Sequence, residues 1–322
     1  MYICPKCGGP LVKSGHKNDK QNYICKVCSR QTIKPKRQKN NKKRPETNWR
    51  EWLKHLKCGQ KLHEKSSGSQ DSCDIHIKTS GEYIIYQPIS DMHLGSIGCD
   101  YESLEAFTDA ILRYKNVFFS LTGDNIDGFY SFKNMLAVHQ MQMSPEEQLN
   151  FFESWIKEVQ HKFLFSTWGN HEEMEERASG MNSTKRMLNR QLVYFNGIGI
   201  ANLNINDIKY QIVATHKTRN NSMYNRTHGL KQLARMQLPA ADIYIAGHLH
   251  SSAFEVQYER DKMQVFALLG TLKKNDGFAK RYFSYWSNQQ MTAFVLNAKK
   301  KEIVPFATLE QAIKFCGIKD DN

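Results

Sequence analysis

Residues 241–250 read ADIYIAGHLH: a short apolar run, one glycine, then two histidines separated by a leucine. The run 242–246 has the length and apolar character of a buried strand, and Gly247 punctuates its end. A histidine pair after a strand is more often a turn with satisfied ring nitrogens than a metal site. What His248 and His250 do therefore depends on what the other strands deliver at their ends.

Working outward, residues 82–89 (EYIIYQPI) read as a buried strand, 101–115 as an amphipathic helix started by Asp100, and 117–121 as a second strand. Residues 144–162 form a helical pattern with Pro145 in its first turn, and a strand follows at 163–167. Residues 199–214 read as a hairpin turning at Asn206 and Asp207, the region beyond 246 is strand-rich to Pro305, and a short amphipathic helix spans 309–315. Strand-helix alternation followed by hairpins indicates an α/β body with partly mixed sheets.

Each predicted strand is followed by polar groups. Asp91 and His93 follow the first (SDMHLG), Asp124 and Asp127 the second (TGDNIDG), and Asn170, His171 and Glu172 the third (WGNHE). His216 follows the hairpin (ATHK), and His248 and His250 close the series. In open α/β sheets ligands bind outside the carboxyl ends of the strands, so groups far apart in sequence can converge there. Carboxylate and amide oxygens mixed with imidazoles suit Mn²⁺, Fe or Zn²⁺, and a shared aspartate can bridge two ions about 3.5–4 Å apart. The competing signatures GxSxG and GxxxxGK[ST] are absent.

In this order DxH, GDxxD, GNHE, an isolated histidine and GHxH resemble the calcineurin-like metallophosphoesterase superfamily, over about residues 82–270. The resemblance implies an αββα fold, a two-sheet sandwich flanked by helices with its site at the strand ends. It implies Asp91, His93, Asp124 and His250 around one metal, and Asp124, Asn170, His216 and His248 around the other. Asp124 is then the bridge, and His171 contacts the phosphate and protonates the leaving group. Asp127 and Glu172 are expected to orient the ligands. His216 follows Thr215 where many relatives carry glycine; its competitor, His228 in RTHG, sits in a polar stretch before a helix and is set aside.

Charge separates the amino terminus from the body. Residues 1–70 hold 18 Lys+Arg against 4 Asp+Glu, whereas the remainder holds 27 against 28. Cys4 and Cys7 form one CxxC pair, Cys25 and Cys28 another, a spacing that suits one tetrahedral structural zinc. The pattern CPKCGG…YICKVCSRQ resembles the zinc ribbons of some transposase-associated proteins. A basic run (Lys36, Arg37, Lys39, Lys42, Lys43, Arg44) precedes an expected helix capped at Thr47 or Asn48, with Trp49, Trp52, Leu53 and Leu56 on one face. SSGSQDS then reads as a linker. The expected division is a zinc ribbon at 1–35, a basic helical arm and linker at 36–75, and a metallophosphoesterase domain at 76–322.

Together these features predict a dimetal-dependent phosphodiesterase that cuts DNA or RNA with a metal-activated water, with a core similar to nuclease subunits of double-strand-break repair complexes. The basic run would contact nucleic acid, and the tryptophans would either stack on its bases or dock their helix on the body. The alternative is a phosphomonoesterase or small-molecule phosphodiesterase whose ribbon serves targeting or assembly. Two divalent ions are expected in the site, Mn²⁺ ahead of Fe or Zn²⁺. With no signal peptide or membrane span in view, the expected setting is bacterial cytoplasm, or host cytoplasm for a phage protein. Nuclease relatives often pair through core helices, which makes a homodimer an expectation, and no protein partner is legible. Cys58, Cys73, Cys99 and Cys316 read as ordinary thiols.

Overall fold

The computed structural model describes residues 2–33, 36–37, 49–67, 72–128, 141–188, 192–222, 224–236, 241–259, 262–274 and 290–317. The chain divides into two compact units, Met1–Gly68 and Ser69–Asn322. In the first, β1 (Tyr2–Ile3) pairs with β5 (Lys36–Arg37), while β2 (Leu11–Lys17), β3 (Lys20–Cys25) and β4 (Gln31–Thr32) form an antiparallel sheet. The β2–β3 turn places Asn18 and Asp19 at φ 51° and 57°, the left-handed pair that a two-residue hairpin requires. The helix Trp49–Ser67 completes the unit.

The second unit begins with β6 (Ser72–Ile77), which pairs in parallel with a strand more than a hundred residues away. Ser66 and Ser67 end the preceding helix, and Ser72 opens β6. Next come β7 (Tyr83–Ile89), β8 (Val117–Leu121), β9 (Phe163–Thr167), β10 (Tyr194–Phe195), β11 (Gly199–Ile205), β12 (Ile208–Thr215) and β13 (Ile243–Ala246). The last strands are β14 (Ala253–Glu259), β15 (Lys262–Leu268), β16 (Ala293–Asn297) and β17 (Ile303–Phe306). They make two six-stranded mixed sheets, ordered β10-β9-β8-β7-β16-β17 and β14-β15-β13-β12-β11-β6.

Side-chain alternation builds the layers. On β7, Ile84 and Tyr86 face the core between the sheets with Phe165, Tyr210, Ile212 and Phe294, whereas Ile85 and Ile89 face a second core with Leu104, Phe152 and Trp155. That second core seats the helices Tyr101–Arg113, Pro145–Val159 and Leu309–Cys316, placing them on the outer face of the first sheet. On β13, Ile243 and Ile245 face inward while Tyr244 and Ala246 pack outward against Leu230 and Ala234 of the helix His228–Met236. The result is the αββα arrangement, with β7, β8, β9, β12 and β13 buried on both faces near their carboxyl ends.

Local chemistry starts and stops the helices. The Asp100 side chain accepts the Ser103 amide, and Ser144 with Glu147 forms a reciprocal capping box ahead of Pro145. The second helix ends at Val159, and residues 160–162 tighten into a single 3-10 turn. Among the described residues no helix is long and apolar enough to cross a membrane.

Candidate metal centre

The polar groups that follow β7, β8, β9, β12 and β13 meet at one end of the sandwich. The ligand atoms of Asp91, His93 and His250 lie within 4.8 Å of one another, and so do those of Asp124, His216 and His248. A third group joins His93, Asp124 and His171, so Asp124 reaches both sides. Asn170 Oδ1 is 2.9 Å from His216 Nε2, which adds an amide oxygen to the second set. His228 instead starts a helix and bonds Gln232.

Four of the candidate ligands, Asp91, His93, Asp124 and His216, are aimed by a partner behind them. His93 Nδ1 sits 2.8 Å from Asp127 Oδ1 and His216 Nδ1 2.7 Å from the Thr122 carbonyl, so both rings donate from Nδ1 and turn Nε2 to the centre. Ser90 Oγ and the His248 amide occupy Asp91 Oδ2, leaving Oδ1 3.1 Å from His250 Nε2. The His171 amide takes Asp124 Oδ1, and Oδ2 faces His216 Nε2 at 3.3 Å. Glu172 accepts the amides of Asp124 and Asn125 at 3.0 and 3.1 Å, which fixes the loop carrying the shared aspartate. Asp127 thus bonds a candidate ligand, and Glu172 the loop that carries one.

This convergence strains the backbone. Asp91, His93, Asp124, His248 and His250 all take positive φ, between 50° and 73°, a region that costs a side-chain-bearing residue about 1–3 kcal/mol. The other non-glycine residues there are Asn, Asp or Ser, and Asn, Asp and His are the side-chain-bearing types that enter this region most often. Glycine is required beside them. A Cβ on Gly247 would lie 1.8 Å from Ser90 Oγ and 2.5 Å from Asp91 Oδ2, and one on Gly169 would lie 2.2 Å from the Asp124 amide nitrogen. Gly247→Ala is expected to displace Asp91 and lower hydrolysis about a hundredfold with the circular dichroism spectrum intact; a rate at the wild-type level would show that Asp91 placement does not matter.

The electrostatics suit a cation. Burial raises Asp91, yet His216 and His250 outweigh it and hold the carboxyl at about 2; burial likewise opposes the lowering of Asp124 by His216 and His171. Burial and the His216 charge lower His248 to about 4, while burial and Lys273 bring His93 to about 4, so both rings carry lone pairs. His216 is lifted to about 10, against its burial, by Asp124 and Asp91: the pocket demands positive charge, and a proton meets the demand as a metal would. Charged carboxylates with neutral imidazoles are the donor set of a divalent transition ion.

One residue was missed. Lys273 Nζ lies 3.1 Å from Asp127 Oδ1, carried by a turn after β15 in which Thr271 Oγ1 donates to the Asp91 carbonyl at 2.7 Å. The turn GTLK is a further strand end, so the rule that found the others, applied once more, finds this one.

In the first unit the four cysteine sulfurs also cluster. Cys4 Sγ is 3.7 Å from Cys28 Sγ and Cys7 Sγ 3.5 Å from Cys25 Sγ, close to the roughly 3.8 Å edge of a tetrahedron with 2.3 Å metal bonds. The two knuckles match bond for bond: Gly8 N donates to Cys4 O and Ser29 N to Cys25 O, both at 3.0 Å. The amides of Lys6 and Val27 donate to the sulfurs of Cys4 and Cys25, and backbone amides lower both thiols, Cys4 to about 6. Such a cluster fits a zinc ribbon.

Of the residues expected to meet nucleic acid, Trp49 and Trp52 are exposed, with Arg50 stacked 4.9 Å from the Trp49 ring centre. Lys36 and Arg37 belong to the β5 backbone, while Lys39, Lys42, Lys43, Arg44, Thr47 and Asn48 lie outside the described residues. All the cysteines are free, and burial raises Cys73 and Cys316 to about 11 and Cys99 to about 12, so these three are unreactive thiols.

A family model described as calcineurin-like phosphoesterase matches residues 89–252, just over half of the chain. Comparison with curated proteins returns no match. Solved structures similar to the chain include vacuolar protein sorting 29 from Cryptosporidium parvum, at 12% identity and TM-score 0.37, covering 70% of this chain and 99% of that one. Pseudomonas putida nuclease MPE is similar at 12% identity and TM-score 0.33, covering 69% and 87%. A metallophosphoesterase from Sphaerobacter thermophilus is similar at 13% identity and TM-score 0.34, covering 73% and 95%.

Proposed function

The chain belongs to the calcineurin-like phosphoesterase family, and from that premise we propose that it is a dimetal phosphodiesterase whose substrate is DNA or RNA. Asp91, His93, Asp124 and His250 would hold one divalent ion, and Asp124, Asn170, His216 and His248 the other. When bound, such ions acidify a water and neutralise phosphoryl oxygens. The protein's own groups do the rest. Asp127 and the Thr122 carbonyl keep His93 and His216 in the binding tautomer. His171 directs Nδ1 at the Asp127 carbonyl and leaves Nε2 toward the substrate side, 3.9 Å from Asp124 Oδ2. Against burial, Asp124 and Asp127 raise its pKa, which keeps a proton available for the departing oxygen.

The observation that carries the nucleic-acid reading is the location of the charge. The first 70 residues hold 18 cations against 4 carboxylates, in the unit that also bears the four-thiol cluster and the exposed tryptophans. Phosphate contacts give affinity without sequence preference, and exposed aromatic faces stack on bases. With Mn²⁺, bis-(p-nitrophenyl) phosphate should be cut faster than the monoester, and labelled single- or double-stranded DNA or RNA should be cleaved. Turnover of the monoester alone, with every nucleic acid intact, would assign the chain to the phosphomonoesterases.

A further inference from the structure

Sheet edges expose unpaired amides and carbonyls, and folded proteins protect them with short strands, proline, charge or bulges. Three of the four edges of this sandwich are protected. β10 is two residues long, β17 contains Pro305, and β6 exposes Asp74 and His76. The fourth, β14, is seven residues long, has no proline and carries a single charge in its middle, Glu255. It runs seven residues in unbroken register against β15, from Ala253 opposite Leu268 to Glu259 opposite Lys262, and among the described residues no strand pairs with its other side. The carboxylate of Glu255 is already taken by Lys231, Thr227 and Gln257.

One face of β14 is apolar and open. Phe254, Val256 and Tyr258 are 41%, 38% and 74% exposed, although their cross-strand neighbours Ala267 and Val265 are buried between the sheets. The apolar inner face of the sheet thus continues past the edge of its cover.

We propose that β14 is a self-association edge, on which a second copy of this chain pairs its own β14 antiparallel about Val256. The segment AFEVQYE is close to a palindrome in character, and a two-fold axis through Val256 exploits that. Phe254 falls opposite the partner's Tyr258, Glu255 opposite the partner's Gln257, Ala253 opposite the partner's Glu259, and Val256 opposite its own copy. Aromatic meets aromatic, each carboxylate meets an amide or a methyl group, and no like charges face each other. A parallel arrangement has no such two-fold and would set identical side chains, Glu255 among them, side by side. The joined second sheets would form one continuous sheet, and the exposed apolar rows would cover one another.

Sedimentation equilibrium of the full chain over a roughly hundredfold concentration range should show a monomer–dimer equilibrium. Val256→Lys and Tyr258→Lys, both at exposed positions, should each weaken it at least about tenfold while hydrolysis of the small diester stays at the wild-type rate. An equimolar mixture of Val256→Lys and Val256→Glu should restore the dimer, because opposite charges then meet across the axis. Amide exchange of wild-type protein reads the same contact without substitution: β14 should gain protection as concentration rises. A chain that stays monomeric throughout, or a dimer whose β14 exchange does not change with concentration, overturns the proposal.

Discussion

Asp124→Asn is expected to lower kcat/KM for the small diester at saturating Mn²⁺ by at least about 10³-fold, some 4 kcal/mol of transition-state stabilisation. The substitution keeps the shape and removes one charge at the position both ligand groups share. Its Oδ1 is already engaged by the His171 amide, so the loss falls on Oδ2, the atom turned toward His216 and His171. An amide there presents either a weaker oxygen or an N–H donor to sites built for lone pairs. Two controls separate a lost ligand from a damaged fold. Metal-free variant and wild type should give the same circular dichroism spectrum, and the rise in melting temperature that Mn²⁺ produces in the wild type should shrink in the variant, since stabilisation by a ligand follows its affinity. If the variant turned over at the wild-type rate, Asp124 would not be shared, and the centre would need only one ion.

The site was legible in the sequence because each of its groups sits where an apolar run stops. β8 and β9 occupy the predicted residues 117–121 and 163–167, since Gly123 and Gly169 end them abruptly and the candidate ligands follow at once. The helix Asn170–Ser179 was not legible, for a reason the structure supplies. It has no apolar stripe, and the residues it buries are Glu172, spent on the Asp124 loop, and Glu175, spent on Ser183. Periodicity detects burial of hydrocarbon, not burial of a hydrogen-bonded carboxylate. β6 was hidden differently. SCDIHI follows serines that read as a linker, and its partner β11 lies far along the chain, so only the tertiary ladder makes it a strand. The two CxxC pairs were fully legible, because metal spacing is local even when the fold around it is not.

Those pairs carry the second large effect. Cys4→Ser with Cys7→Ser should abolish binding of the one zinc that the four thiols fit and weaken duplex binding at least about tenfold at 0.1 M salt, about 1.4 kcal/mol, while hydrolysis of bis-(p-nitrophenyl) phosphate persists. The ribbon has little apolar core. The buried apolar residues of the ribbon are Leu11 and Tyr23, with Cys4 and Cys25 beside them, too few to offset the entropy of ordering the segment. Removing two sulfurs leaves Cys25 and Cys28 without the partners that complete the tetrahedron, and the ribbon should unfold. The metallophosphoesterase unit has separate cores and its own ligands, so it should keep its chemistry. Salt supplies the independent reading: if the basic segment grips phosphates, log affinity falls with log salt by about 0.9 per phosphate neutralised, and the double variant should show the shallower slope. Loss of both activities together would make the ribbon a structural part of the hydrolase. A wild-type affinity indifferent to salt would assign the lysines a solubilising role and leave the small diester as the better guide to the substrate.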